Sequence, residues 1–156
     1  MIILPHQLLT MARLELTLPN QFIYTTELIV RVNDLNYGAH VGNDNMLVLM
    51  QQARINFYRE NGFKDEVSFE GTVGQVISDT LVIYKAEAFL GDVLLIHLAI
   101  ADVNKYGFDM LYQVINKVNG KEVARGKTGI VCFDYSKRKV APIPARLLSL
   151  ITAKID

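Results

Sequence analysis

Hydrophobic positions change their spacing twice along the chain. Residues 22–33 are rich in β-branched and aromatic types and predict a first strand. From Met46 to Phe57, apolar residues recur every three or four positions, which predicts a helix. After about residue 72 the pattern becomes that of strands again, and a short helix is expected around 145–151. The later strands are expected at 73–87, 93–103, 108–118 and 122–133.

The long helix has recognisable ends and an apolar face. Residue types that favour N-caps, Asn43, Asp44 and Asn45, stand at its start, and Gly62 suits the C′ position. The face is formed by Met46, Met50, Ala53 and Phe57. Leu47, Val48 and Leu49 fill most of the other side of the first turns, and the second half of the helix is amphipathic. Because a helix that is apolar nearly all round is normally buried, we expect it inside the fold.

Turn signals separate the later strands, at Gly91-Asp92, Tyr106-Gly107 and Asn119-Gly120. Asn119-Gly120 predicts a two-residue type I′ hairpin turn. The order is then strand, helix and four strands, which favours an α+β domain in which an antiparallel sheet of about five strands wraps one helix. We take 1–156 as a single domain, with an N-terminal extension at 1–15 and a C-terminal tail at 142–156 that holds the short helix. The edge of the sheet stays open for a partner subunit.

Composition narrows the possible partners. The 156 residues suit one domain, and 16 basic residues balance 16 acidic ones. A net charge of zero argues against a nucleic acid or an anionic membrane surface, because both require a basic excess. A hydrophobic share of 51% and a mean hydropathy of +0.21 are high for a soluble monomer. They indicate apolar surface buried between subunits or around the central helix.

The cysteine and histidine content excludes several kinds of site. The single cysteine, Cys132, cannot form an internal disulfide, and three scattered histidines do not build a zinc site, so we expect no metal or cofactor. Cys132 is expected to be a buried side chain and not a nucleophile. The start of the chain lacks the features of a signal peptide, and no apolar run approaches the roughly 18 residues of a membrane span. These features indicate a cytoplasmic protein, for which Met11 is an alternative start.

Residues 34–45 read Asp-Leu-Asn-Tyr-Gly-Ala-His-Val-Gly-Asn-Asp-Asn, with Arg31 before them and Ala53-Arg54 in the helix. This ordered set resembles the hot-dog-fold thioesterases, and most closely the 4-hydroxybenzoyl-CoA thioesterase family. Ile83-Tyr84, followed by Gly91-Asp92, is similar to the family's second strand and turn, and Pro142-Ile143-Pro144 to its exit from the last strand. The resemblance covers about residues 20–145.

The resemblance implies the hot-dog fold and hydrolysis of a thioester of CoA or of acyl carrier protein. It also implies sites between the subunits of a homodimer or homotetramer. The chemistry suits the predicted elements, because free N–H groups at a helix start can polarise the thioester carbonyl. A carboxylate must then activate water or attack directly.

The sequence departs from the family at the carboxylates. The usual catalytic aspartate is replaced by Asn36, whose amide has no proton-accepting form near neutral pH. Some hot-dog thioesterases use a helix glutamate, and the corresponding stretch here has Gln51 and Gln52. The local carboxylates that remain are Asp34 and Asp44, and either can be the base. A related acyl-carrier-protein thioesterase pattern, Asp-x-Asn-x-His-Val, is similar to Asp34, Asn36 and His40, although two residues intervene before the histidine here.

Two sets of candidate residues follow. The catalytic candidates are Asp34, Asn36, His40 and Asp44. The substrate-binding candidates are Asn43, Asn45, Met46 and Met50. Each also has an ordinary structural role open to it: helix or turn capping for the polar residues, packing for His40 and the methionines. Arg54 is expected to pair with Asp34 or Asp44, and Tyr84 is expected in the core.

Two other functions remain open. A non-catalytic hot-dog module that binds acyl thioesters would explain why carboxylate positions of the family hold amides here. A hydratase or dehydratase on the same fold would need a better-defined pair of histidine and carboxylate.

Overall fold

The computed structural model describes residues 13–153. Most of the expected N-terminal extension, with Met11, lies outside the described residues. The strands are β1 Tyr24–Ile29, β2 Val73–Tyr84, β3 Val93–Ala101, β4 Gly107–Asn116, β5 Glu122–Asp134 and β6 Lys139–Val140. The helices are α1 Asn43–Glu60 and α2 Ala145–Thr152, and Val32–Asp34 forms a short 3-10 turn.

The strands form one six-stranded antiparallel sheet in the order β1-β3-β4-β5-β2, and β6 pairs with β5. The α+β hot-dog architecture is therefore confirmed, with five long strands as expected. The sixth is a strand of two residues that the polar sequence of 134–139 did not suggest.

The apolar face of α1 packs into the core, with Met46, Met50, Ala53 and Phe57 each no more than 3% exposed. In the single chain, the expectation that the first turns of α1 are buried nearly all round holds for Leu49, which is 3% exposed, but not for Leu47 and Val48. Leu47 is 37% exposed and Val48 49%, because the sheet covers only one side of the helix.

Several predicted boundaries differ from the structure. The first strand ends at Ile29, because the backbone turns at 32–34. The N-cap of α1 is Gly42, so the three polar residues after it belong to the first turn. Gly62 has φ +82°, in the left-handed region expected after a helix.

The type I′ turn predicted at Asn119-Gly120 is wrong. Gly120 has φ +71°, but Asn119 is not among the residues with positive φ. The side chain of Asn116 accepts hydrogen bonds from the N–H groups of Val118 and Asn119, at 3.0 and 3.3 Å. This side-chain bonding stabilises a longer loop, closed where the N–H of Asn116 donates to the C=O of Lys121 at 2.9 Å.

One half of the outer edge of β2 is covered by another segment of the chain and the other half is not. The segment after α1 covers the first half, because the N–H of Gln75 donates to the C=O of Glu66 at 2.8 Å and that of Val73 to Glu70 at 3.0 Å. A Cβ on Gly74 would lie 2.3 Å from the backbone of Val67, so this covering segment lies directly against the strand. The second half, from Ile77 to Tyr84, is exposed or half-buried.

Candidate active site

The connection from β1 to α1 is a fixed turn. The Asn36 N–H donates to the C=O of His40 at 2.9 Å, and the Gly42 N–H donates to the C=O of Asp34 at 3.0 Å. The Asn36 carboxamide oxygen accepts the Gly38 N–H at 2.8 Å, which closes a turn of the kind asparagine favours. Ala39 has φ +61°. The candidate residues of this segment are thus held in one arrangement.

This turn is attached to the chain that leaves β2. The N–H of Val41 donates to the C=O of Ala88 at 2.9 Å. His40 Nδ1 lies 2.9 Å from Glu87 Oε1. Tyr84 donates its hydroxyl to the C=O of Asn43, in the first turn of α1, at 2.7 Å.

A cleft of about 360 Å³ lies between these two segments and the start of α1. Its lining combines amides, an imidazole, a phenol, one basic and one acidic side chain with apolar side chains. The lining residues are Asn36, His40, Val41, Asn43, Met46, Tyr84, Lys85, Ala86, Glu87 and Ala88. Four of the eight sequence candidates therefore meet in one cleft: Asn36, His40, Asn43 and Met46.

Asp34 is not among the lining residues. It is 2% exposed, and its carboxylate accepts the Arg31 backbone N–H at 2.7 Å and guanidinium N–H groups at 3.2 and 3.3 Å. Burial alone would raise the pKa of Asp34, but the hydrogen bonds and charge of Arg31 outweigh it and lower the pKa. The carboxylate is thus occupied in fixing the turn.

The other three candidates also lie outside the lining. Asp44 is exposed, and its Oδ1 accepts the N–H of Asn45 at 2.9 Å. Asn45 donates its side-chain amide to the C=O of Asp34 at 3.0 Å, and so joins the turn to the helix. Met50 is 1% exposed and packs against Gly126 of β5.

Sequence reasoning missed the side of the cleft that β2 supplies. Tyr84, expected in the core, is 52% exposed. Burial, and to a lesser extent the charge of Asp44, raise the pKa of its phenol. Lys85 and Glu87 follow it within the stretch predicted as strand, and these two charged residues, directly after the apolar run 81–84, were the available signal.

The start of α1 offers donors to this cleft. Gly42, the N-cap, provides no side chain to bond the first-turn N–H groups. The hydrogen bonds of residues 13–153 use the N–H groups of Asn45 and Met46, but neither that of Asn43, which lines the cleft, nor that of Asp44 beside it. Such donors, with the helix dipole, favour an oxygen that gains negative charge.

Arg54 does not pair with either aspartate. It is 4% exposed and forms an ion pair with Glu66, in the segment that covers β2. This expectation was therefore wrong, because Arg54 lies about three helical turns after Asp44 and its guanidinium contacts Glu66 and Tyr112 instead. Cys132 is fully buried as expected, and burial raises the pKa of its thiol to about 11, so it is no nucleophile.

Residues 13–153 hold neither a cluster of metal ligands nor a membrane-spanning helix. No group of three or more histidine, cysteine, aspartate or glutamate side chains there is placed to hold a metal ion. No helix in that range has both the length and the apolar character needed to cross a membrane.

Comparison with known proteins gives consistent results. A sequence profile described as the thioesterase-like superfamily matches residues 30–151. A search of curated protein sequences finds no significant match.

Solved structures share the fold at low sequence identity. A 1,4-dihydroxy-2-naphthoyl-CoA thioesterase from Synechocystis is 22% identical, with a TM-score of 0.76 over 83% of this chain and 95% of that one. A gentisyl-coenzyme A thioesterase is 21% identical, with a TM-score of 0.73 over 82% and 99%. A Staphylococcus aureus protein solved in complex with CoA is 14% identical, with a TM-score of 0.77 over 90% and 87%.

Proposed function

The chain belongs to the thioesterase-like superfamily, and on that basis we propose that it hydrolyses acyl-CoA thioesters in the cleft at the start of α1. The observation that carries this proposal is the meeting of Asn36 and His40 with the first turn of an apolar helix. Polar groups able to hold water then adjoin donors able to bind a carbonyl oxygen, which are the two requirements of thioester hydrolysis.

In this proposal the thioester carbonyl lies over the first turn of α1. Its oxygen accepts hydrogen bonds from the N–H groups of Asn43 and Asp44, which stabilise the negative charge of the tetrahedral intermediate. Met46, 3% exposed, forms the apolar floor against which the acyl group packs. Asn36 and His40 hold the attacking water from the other side.

The proposed acyl carrier is CoA. The Staphylococcus aureus structure shows the fold with CoA bound, and two other neighbours are thioesterases of aromatic acyl-CoAs. Together with the sequence resemblance, they support membership of the 4-hydroxybenzoyl-CoA thioesterase family. A free thiol at Cys132 agrees with a reducing, cytoplasmic location.

We also propose a homodimer or homotetramer with sites at a subunit interface. Ile77–Tyr84 is the free half of the β2 edge, with which no other segment of residues 13–153 pairs. It ends at the cleft, so a second copy paired there would cover the open side of the site. Ile77 is 41% exposed, and unpaired edges of this kind attract another strand. A two-fold axis through this edge would place the cleft of each protomer against the other copy.

The test is release of free thiol from acyl-CoA substrates with short, long and aryl acyl groups, and from acyl carrier protein loaded with the same groups. Activity on at least one series supports the proposal, and the most active series identifies the carrier and the acyl class. Release no faster than the uncatalysed background on all of them would refute it.

Two observations keep other functions in view. The amides Asn36, Gln51 and Gln52 at carboxylate positions of the family favour a non-catalytic module, and acyl-CoA binding without turnover would identify it. The pair formed by His40 and Glu87 favours a hydratase, since that chemistry needs a histidine and a carboxylate together. Water addition to an enoyl-CoA, without thiol release, would identify the hydratase.

A further inference from the structure

We propose that His40 is the proton acceptor of the hydrolysis and that Glu87 is the residue that positions it. This inference deepens the proposed function and rests on it. It assigns a role to Glu87, which lies 47 positions from His40 in the sequence, and it replaces Asp34 and Asp44 as the groups that take the proton from water.

The geometry of the pair defines the roles of the two imidazole nitrogens. His40 Nδ1 lies 2.9 Å from Glu87 Oε1, within hydrogen-bond distance. When Nδ1 carries the proton and donates it to the carboxylate, Nε2 carries a lone pair. Nε2 is then the atom that can accept a proton from water.

The backbone keeps this pair together. The segments that carry the two residues are hydrogen-bonded, Val41 N–H to Ala88 C=O at 2.9 Å, and His40 forms a β-bridge with Phe89. The His40 side chain is 33% exposed and that of Glu87 63%, so solvent and substrate reach the pair. Fixed backbones on both sides reduce the entropy lost when the imidazole is oriented.

The cleft supplies no competing carboxylate. Among the described residues that line it, Glu87 is the one acid. Asp34 is enclosed and bound to Arg31, and Asp44 bonds its own helix turn. The other titratable residues that line the cleft with His40 are Tyr84 and Lys85, and the charge of Asp44, outside the lining, acts on Tyr84.

Gly38 leaves room beside the reactive edge of the imidazole. A Cβ on Gly38 would lie 3.4 Å from His40 Nε2, 3.1 Å from His40 Cε1 and 3.0 Å from Asn36 Oδ1. The imidazole edge and the carboxamide oxygen therefore converge on one space that has no side chain in it. Both residues also line the cleft, so in this proposal they hold the attacking water together on its cleft side.

The reaction balances with water as the single co-reactant. The water oxygen forms a bond to the thioester carbonyl carbon while one water proton passes to His40 Nε2. The tetrahedral intermediate collapses, the C–S bond breaks and the thiolate takes that proton from the imidazolium. The products are the carboxylic acid and the free thiol, and Glu87 stabilises the imidazolium between the two steps.

The experiment compares wild type with Glu87→Gln, Glu87→Asp, His40→Gln and the double variant Glu87→Gln/His40→Gln, on the best acyl-CoA substrate. Glu70→Gln, an exposed carboxylate in the segment before β2, is the matched control. His40→Gln should lower kcat roughly 10²- to 10⁴-fold, the usual contribution of an acid–base group. Glu87→Gln should lower kcat by about 10-fold or more with little change in KM, and Glu87→Asp should recover part of the loss.

Two readouts separate positioning from a structural role. The double variant should be no slower than His40→Gln alone, because the two residues act as one unit. Imidazole ¹⁵N NMR should show neutral His40 with its proton on Nδ1 in wild type and a mixture of tautomers in Glu87→Gln.

The outcomes distinguish this inference from the function it rests on. If wild type releases no thiol, the proposed hydrolysis and the roles of His40 and Glu87 are both refuted. If wild type is active but Glu87→Gln retains its rate and its His40 tautomer, only the pair is refuted and hydrolysis stands. The inference would also be refuted if the fold losses in kcat of the two single variants multiplied in the double variant, because the two residues would then act independently.

Discussion

Arg54, inside α1, forms a buried ion pair with Glu66, in the segment that covers the first half of β2. The two side chains are 5% and 16% exposed. Gln75 of β2 donates to the same carboxylate at 3.0 Å, and Arg54 donates to the Tyr112 hydroxyl at 3.1 Å. Burial opposes the charge on Arg54, yet the charges and hydrogen bonds of Tyr112 and Glu66 raise its pKa. The pair therefore joins the helix, the sheet and the covering segment.

The first prediction concerns this pair. Glu66→Gln should lower the free energy of unfolding by about 3 kcal/mol, because it leaves a buried guanidinium without its counter-charge. Urea unfolding measures the change. Glu27→Gln is the control, since Glu27 pairs with Lys117 where both side chains are about half exposed, and it should cost less than about 1 kcal/mol. Equal losses in the two variants would contradict a special role for the buried pair.

The second prediction concerns Gly126 of β5, which lies under α1. A Cβ there would come 2.4 Å from Met50 Sδ and 2.8 Å from Met50 Cε. Met50 is 1% exposed and has little room to move, so Gly126→Ala should cost about 1–3 kcal/mol of stability through overpacking.

A double-mutant cycle tests that reason. In the background Met50→Ala the added methyl has space, and Gly126→Ala should then be nearly neutral or stabilising. If Gly126→Ala costs the same in both backgrounds, the contact with Met50 is not the cause.

The sequence predicted the parts of the fold that depend on local pattern. The spacing of Met46, Met50, Ala53 and Phe57 identified the buried face of α1, because helical periodicity is a property of nearby residues. The turn at Asn119-Gly120 was predicted wrongly, because the side chain of Asn116 bonds the loop. The preference of an Asn-Gly dipeptide for a type I′ turn takes no account of a third residue.

In the candidate site, too, residues that are close in the sequence were predicted and contacts made by the tertiary fold were not. Asn36 and His40 lie close together in the sequence and were predicted as one group, and the structure brings both to the cleft. Glu87 was missed because its contact with His40 depends on how the end of β2 meets the loop before α1. Asp34 was a reasonable carboxylate by position, but its capture by Arg31 depends on the 3-10 turn, which strand propensity did not indicate.

The third prediction tests the proposed subunit interface. Ile77→Lys, on the free half of the β2 edge, should convert the oligomer to monomer, because an edge charge opposes pairing with a second strand. Ile29→Lys is the matched control on β1 at the opposite edge, where Ile29 is 61% exposed, and should leave the mass unchanged. Size-exclusion chromatography with light scattering measures both. A monomeric wild type, or loss of the oligomer in Ile29→Lys alone, would contradict the interface.

The fourth prediction concerns acid stability and Asp134, at the end of β5. Hydrogen bonds from the Lys137 N–H and from Ser136 and Thr72 lower the pKa of its carboxyl from 3.8 to about 2. Because the folded pKa is the lower one, the folded state favours the ionised carboxylate. Its stabilising contribution is therefore present above about pH 4 and is lost as the pH falls towards 2.

Asp134→Asn should accordingly lower the Tm at pH 7, and the difference from wild type should shrink as the pH falls from 4 to 2. Thermal unfolding across this range measures it. The carboxamide oxygen keeps an acceptor in the turn, so the variant removes the charge and not the geometry. A Tm difference that stays constant from pH 7 to pH 2 would show that hydrogen-bond geometry, and not ionisation of Asp134, stabilises the turn.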